Sequence, residues 1–204
     1  MDRFVDSLSN IPLHVEKPSV AIRTAQVVGL TSAAYLFGHT ASASAACAVF
    51  MEAPAPLLAK QWKKLYDNGI FLKTALSVIS TGTVGYLAYR EPAQSANRSL
   101  WITSAVLLPS LIPYTLFALK PLNDKLQDKA SSLAGTSLED SAAESGVAKE
   151  ETVHSLVDRW ATLNLGGAAL TLAGTLTALW AAVDKYDVIG LADISFKTGA
   201  NRIS

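Results

Sequence analysis

The charged residues of this chain are absent from four long stretches, and that absence restricts the fold more than any motif does. No Asp, Glu, Lys or Arg occurs in the 28 residues between Arg23 and Glu52, the 16 between Lys73 and Arg90, the 21 between Arg98 and Lys120, or the 24 between Arg159 and Asp184. The 17 basic and 17 acidic residues all lie outside them. A helix crossing a hydrocarbon core of ~30 Å needs roughly 20 apolar residues at ~1.5 Å each. Three stretches are long enough, and Ile70 to Leu72 with the aliphatic stem of a snorkelling Lys73 extend the second. A soluble bundle would instead carry charges on the outer face of every helix. The pattern predicts an all-α, four-helix transmembrane bundle, a single membrane domain over residues 1–204. Its spans lie near 24–50, 70–89, 99–119 and 161–183, with a polar loop over 120–159.

The formal net charge is zero, which excludes a nucleic-acid binder relying on a basic face. The single cysteine, Cys47, excludes an intramolecular disulfide and a multi-cysteine metal cluster. A cleaved leader is also disfavoured: Met1 to Arg23 mixes Asp2, Asp6 and Glu16 with its bases, a poor match to a basic signal-peptide start. Orientation stays open, because the two sides of a four-span chain carry eight and nine Lys/Arg, and the positive-inside rule needs a bias.

Small residues recur along the spans: Ser32, Ala33, Gly38, Ser42 and Ala46 in the first, Gly82 and Gly85 in the second, Gly166, Gly167 and Gly174 in the fourth. They either bring helices together in lipid or leave room for a flat ligand. In the third loop, Leu122, Leu126 and Leu133 predict a short amphipathic helix after Pro121. Val153, Leu156, Val157, Trp160 and Leu163 predict a second, which runs into the fourth span. Between them, Gly135 to Gly146 reads as a disordered acidic tip.

Polar side chains at membrane depth are costly and therefore draw functional interest. His39 lies midway along the first charge-free stretch. Imidazole exchanges protons near neutrality, with a reference pKa of ~6.5, so His39 reads as a general base or as a hydrogen-bonded strut between helices. Trp62 and Tyr66 share one helical face beside Gln61, as an interfacial aromatic belt or as pocket walls. Pro109 and Pro113 interrupt the third span next to Tyr114 and Thr115, and Asn123 follows at its exit. Trp160 and Asn164, four apart, put an indole and an amide on one face of the fourth span. His14, His39 and His154 are scattered without metal-ligand spacing, so no metal is expected. No Gly-x-Gly-x-x-Gly, Walker or Gly-x-Ser-x-Gly motif occurs, which removes the usual signatures of nucleotide cofactors and hydrolases.

These elements occur in a characteristic order. A small-residue span ends in Glu52-Ala-Pro-Ala-Pro-Leu-Leu, followed by Gln61-Trp62…Tyr66…Gly69. Pro113-Tyr114-Thr115…Pro121…Asn123…Leu126 comes next, and Trp160…Asn164 comes last. The order resembles the small four-helix membrane family that contains the fungal anthrone oxygenases of polyketide pathways. One departure is Gly167, where the family pattern commonly places an arginine. The resemblance implies oxidation of an anthrone to an anthraquinone with O2 as co-substrate and no organic cofactor. It implies an aromatic polyketide substrate, the lipid bilayer as surroundings, an internal membrane such as the endoplasmic reticulum, and pathway enzymes or a second copy as partners. It carries over Trp62, Tyr66, Tyr114, Asn123, Trp160 and Asn164 as site residues; of these we read Asn123, Asn164 and Tyr114 as donors to an enolate oxygen and Trp62, Tyr66 and Trp160 as surrounding the substrate, with Gln61 added beside Trp62. His39 as the base follows from its depth alone. Two other functions fit the residues: a non-catalytic scaffold for pathway enzymes, and a cyclase or dehydratase that uses the base without oxygen.

Overall fold

The computed structural model describes residues 19–184; His14 and the charges before and beyond that range lie outside the described residues. Four helical segments are long and apolar enough to cross a membrane. The first, α1 (Val20–Phe50), starts behind Ser19, whose hydroxyl accepts the Ile22 N–H at 3.3 Å. A tight connection leads into α2 (Ala55–Arg90), opened by Pro54 and Pro56, whose missing N–H groups cost nothing in a first helical turn. The helix therefore begins well before residue 70. Lys60, Lys63, Lys64 and Asp67 ride on it rather than forming a loop, and Lys63 pairs with Asp67 at 2.7 Å, one turn apart.

The third segment is a broken rod. α3 (Ala96–Leu107) gives way to a turn carrying Pro109, then to the single turn α4 (Leu111–Tyr114), a π-helical turn (Thr115–Leu119) and α5 (Lys120–Ser132). Pro109 and Pro113 each lack the N–H that an α-helix would use, and the π turn directly follows the second. The amphipathic stretch after Pro121 thus continues the third span, with Leu122 and Leu126 buried.

The acidic tip is held, contrary to the disorder expected from its composition. The Glu144 carboxylate meets Lys129 at 2.8 Å and accepts the Val153 N–H at 2.8 Å. A carboxylate at a helix N-terminus satisfies an unpaired donor and the helix dipole together. It anchors the start of α6 (Val153–Val183), which Thr152 also caps.

α1 packs on α2 and α6, and α3 packs on the same two helices, so α1 and α3 sit at opposite corners of a four-helix ring. Gly167 admits Leu111, since a Cβ there would lie 2.9 Å from Leu111 Cδ1, and a Cβ on Gly166 would strike the Tyr114 hydroxyl. Gly38, Gly82 and Gly85 have no such neighbours within 4 Å and draw no helix close.

Two apolar cores occupy the ends of the ring. One gathers Leu58, Trp62, Leu119, Leu126, Val157 and Trp160; the other gathers Ala33, Val84, Leu87, Trp101, Leu108 and Ala178. Between them, α1, α2 and α6 contribute a polar middle layer that includes His39, Thr40, Lys73, Asn164 and Thr171.

Candidate active site

A cleft opens in that middle layer. It contains a cavity of about 80 Å³. Ligand pockets commonly span ~300–1,000 Å³, so the enclosed part of the cleft is a narrow slot. His39 and Thr40 line it from α1, and Tyr66, Gly69, Ile70 and Lys73 from α2. Thr115 and Leu119 of the π turn, Asn123 of α5, and Trp160 and Asn164 of α6 complete it. Ile70 is nearly half exposed, so the cleft reaches the apolar outer surface of the bundle there. Beside that mouth, α2 packs on α3 and α5 but hardly on the π turn between them. A π turn inside a helix often marks a functional site.

Local sequence explains each placement. His39 and Ala43 are four apart on α1, as are Gly69 and Lys73 on α2 and Trp160 and Asn164 on α6, so each pair shares a face. Gly69 leaves the space that His39 occupies: a Cβ at residue 69 would lie 3.1 Å from His39 Nε2.

The hydrogen bonds divide the polar residues by role. Trp160 Nε1 donates to Asn123 Oδ1 at 2.7 Å, which fixes the amide and leaves its Nδ2 without a protein acceptor among the described residues. Asn164 is committed in full. Its Nδ2 donates to the Thr40 carbonyl at 2.7 Å and to Ser44 Oγ at 2.9 Å, and its Oδ1 accepts from Lys73 Nζ at 3.3 Å. Asn164 therefore ties α1, α2 and α6 together and has no N–H left for a ligand.

Five of the eight residues singled out in the sequence meet in this cleft: His39, Asn123, Asn164, Tyr66 and Trp160. Three do not line it. The Tyr114 hydroxyl donates to the Leu163 carbonyl at 2.7 Å, and the ring packs beside Gly166 and Gly167. Trp62 is fully buried behind the wall rather than in a surface belt. It stacks on Tyr66 at 5.3 Å and meets Trp160 edge-on at 5.9 Å. Gln61, its neighbour, has a buried Oε1 with no partner among the described residues. Among the described residues, no group of three His, Cys, Asp or Glu converges as a metal site.

Lys73 was not among the residues singled out. At the edge of a charge-free stretch it reads as a snorkelling end residue. Because α2 starts at Ala55, it stands instead near the helix midpoint and reaches the cleft. No carboxylate lines the cleft, and Lys73 takes part in none of the ion pairs among the described residues. A Cβ at Gly167 would meet the Leu111 side chain at 2.9 Å, and the cation lining the cleft is Lys73 of α2.

The model of the anthrone oxygenase family matches residues 62–177, more than half of the chain. Anthrone oxygenase NsrD of Aspergillus novofumigatus is 31% identical over 120 residues, covering 58% of this chain and 67% of that protein. An anthrone oxygenase of Claviceps purpurea is 29% identical over 155 residues, covering 74% and 83% respectively. Anthrone oxygenase EncC of Aspergillus fumigatus is 26% identical over 127 residues, covering 60% and 68%. No solved structure matches the chain. The matched region runs from Trp62 through the π turn and Asn123 to beyond Asn164, and so includes most of the cleft: the chain belongs to the anthrone oxygenase family.

Proposed function

We propose that this chain oxidises an anthrone-type polyketide to the anthraquinone with O2, in the middle of a multi-pass bundle embedded in an internal membrane such as the endoplasmic reticulum. The observation that carries the reading is the cleft: an apolar slot with an imidazole, a fixed amide and an aromatic wall, in a chain of this family. A scaffold that only locks helices has no need of such a slot.

The chemistry follows from the substrate. The C10 methylene of an anthrone is doubly benzylic and acidified through the enol. His39 removes one C10 proton, and the carbanion delocalises onto the C9 oxygen as an enolate. One electron passes to O2, and the resulting radicals combine at C10 to give a hydroperoxide after protonation. Loss of the second C10 proton breaks the O–O bond and releases water. Anthrone plus O2 thus becomes anthraquinone plus water, with atoms and electrons balanced. The substrate carbanion itself reduces O2, so the protein supplies no organic cofactor.

What the chain supplies is position and medium. In this reading His39 is the base, lining the cleft and seated by Gly69. Asn123 offers its Nδ2 toward developing negative charge, held by Trp160. Trp160 and Tyr66 flank the flat substrate, and the two apolar cores keep the slot dry. Asn164 acts at one remove, by holding Lys73 and α1 in place. Tyr114 braces the third segment against α6.

Membranes containing the protein should convert an anthrone faster than empty membranes, with O2 consumed and conversion stopping under nitrogen. No acceleration over empty membranes would overturn the reading. Conversion that persists under nitrogen would indicate a non-oxidative activity.

A further inference from the structure

We infer that Lys73 is a specificity residue which selects substrates carrying an anionic oxygen, either a ring carboxylate or an ionised phenol, and that Asn164 is the residue which positions it. The inference deepens the oxygenase reading of the same cleft and rests on it.

An ammonium group has three N–H donors and is costly to hold in an apolar layer unless an anion or several acceptors receive it. Lys73 is half-buried near the middle of α2 and lines the cleft. Its one hydrogen bond among the described residues, to the neutral Asn164 amide oxygen, is a long 3.3 Å. No Asp or Glu lines the cleft to neutralise it. Two of its donors have no partner among the described residues and can serve whatever occupies the slot.

Asn164 is itself pinned by Thr40 and Ser44, so the direction in which it presents its oxygen to Lys73 is fixed from α1. That arrangement restrains a flexible side chain in a slot that Tyr66 and Trp160 also line. Its complement is a flat plate with negative oxygen at its rim. The same ammonium lies in the cleft where an enolate develops, so ground-state selection and charge stabilisation draw on one group.

The test measures binding, separately from turnover. Purified protein in nanodiscs is titrated with 9,10-anthraquinone, its 2-carboxylate, and 2-hydroxyanthraquinone on either side of its own ionisation. Quenching of tryptophan fluorescence reports occupancy, and empty nanodiscs give the partition background. A charge-assisted hydrogen bond predicts that the wild type prefers an anionic plate over the neutral one by roughly tenfold to a hundredfold. Lys73→Met should erase the preference and keep affinity for neutral anthraquinone, while Lys73→Arg should retain part of it. Preference for the carboxylate alone would assign a carboxylated substrate; preference for both anions would assign any anionic oxygen. Should Lys73→Met fail to fold, Asn164→Asp serves in its place, because a carboxylate facing Nζ would neutralise the cation and lower the preference. An unchanged preference in either variant, or none in the wild type, overturns the inference. If the wild type shows the preference yet oxidises no anthrone, the oxygenase reading fails and the anion site stands.

Discussion

Gly69→Ala should make the bundle more stable and less active, because the helix and the site want different residues at that position. Glycine within a helix costs about 0.5–1 kcal/mol relative to alanine, and Gly69 is well inside α2. A methyl group there would lie 3.1 Å from His39 Nε2 and 3.5 Å from Cε1, where ordinary contact begins near 3.4 Å. The imidazole must therefore retreat by a few tenths of an ångström. A misplacement of ~1 Å costs on the order of 10²-fold in rate, so a third of that predicts a loss of roughly threefold to fivefold. Gly69→Val adds two more methyl groups against the same ring and should cost ~10²-fold or more. The assay is the initial rate of oxygen uptake with an anthrone, corrected for spontaneous autoxidation, beside thermal unfolding of the same preparation. Opposite movement of stability and rate in the alanine variant separates displacement of the base from misfolding. A folded Gly69→Val protein with wild-type turnover would refute the placement of the reacting base at His39.

Three further substitutions test the division of roles. His39→Ala should lower turnover by ~10²-fold or more in the oxygen-uptake assay while the bundle still folds; near-normal turnover would make His39 a packing residue. Tyr114→Phe removes a hydroxyl already committed to the Leu163 carbonyl. It should cost about 0.5–1.5 kcal/mol of stability in detergent unfolding and leave turnover near wild type, whereas a large loss of rate would place the hydroxyl on the substrate. Asn164→Leu deletes three hydrogen bonds joining α1, α2 and α6. At the ~0.6 kcal/mol typical of each interhelical bond in a membrane, unfolding should show a loss of roughly 2 kcal/mol. An unaltered stability would mean that the Asn164 network holds nothing together.

The fold was legible because charge is expensive in an apolar medium, and the four charge-free stretches, save Met51 at the end of the first, fall within the four long helical segments. Helix ends were less legible for the same reason. Absence of charge delimits the apolar window, whereas α2 continues through Lys60, Lys63 and Asp67, which point outward along its exposed turns. That difference hid Lys73, which changes from an end residue to a central one once the helix begins at Ala55. The candidate site was legible where a polar residue lies far from any helix end, as with His39, and where two side chains four apart share a face, as with Trp160 and Asn164. Individual roles were not. Whether an amide or hydroxyl stays free depends on which neighbouring carbonyl takes its proton, and Leu163 takes that of Tyr114 while Thr40 takes one from Asn164. Likewise the tip from Gly135 to Gly146 reads as a solvated linker until Glu144 is seen to meet Lys129 and the first N–H of α6.

In the proposed reaction O2 is the oxidant, and one of its oxygens becomes the new quinone carbonyl. Turnover of an anthrone by the purified protein under heavy-oxygen-labelled O2 in ordinary water tests it most directly. The expected product carries a labelled atom at the C10 carbonyl of the anthraquinone, formed above the spontaneous background and in equal amount to the O2 consumed. An unlabelled product, or one labelled only when the water carries the isotope, would contradict it.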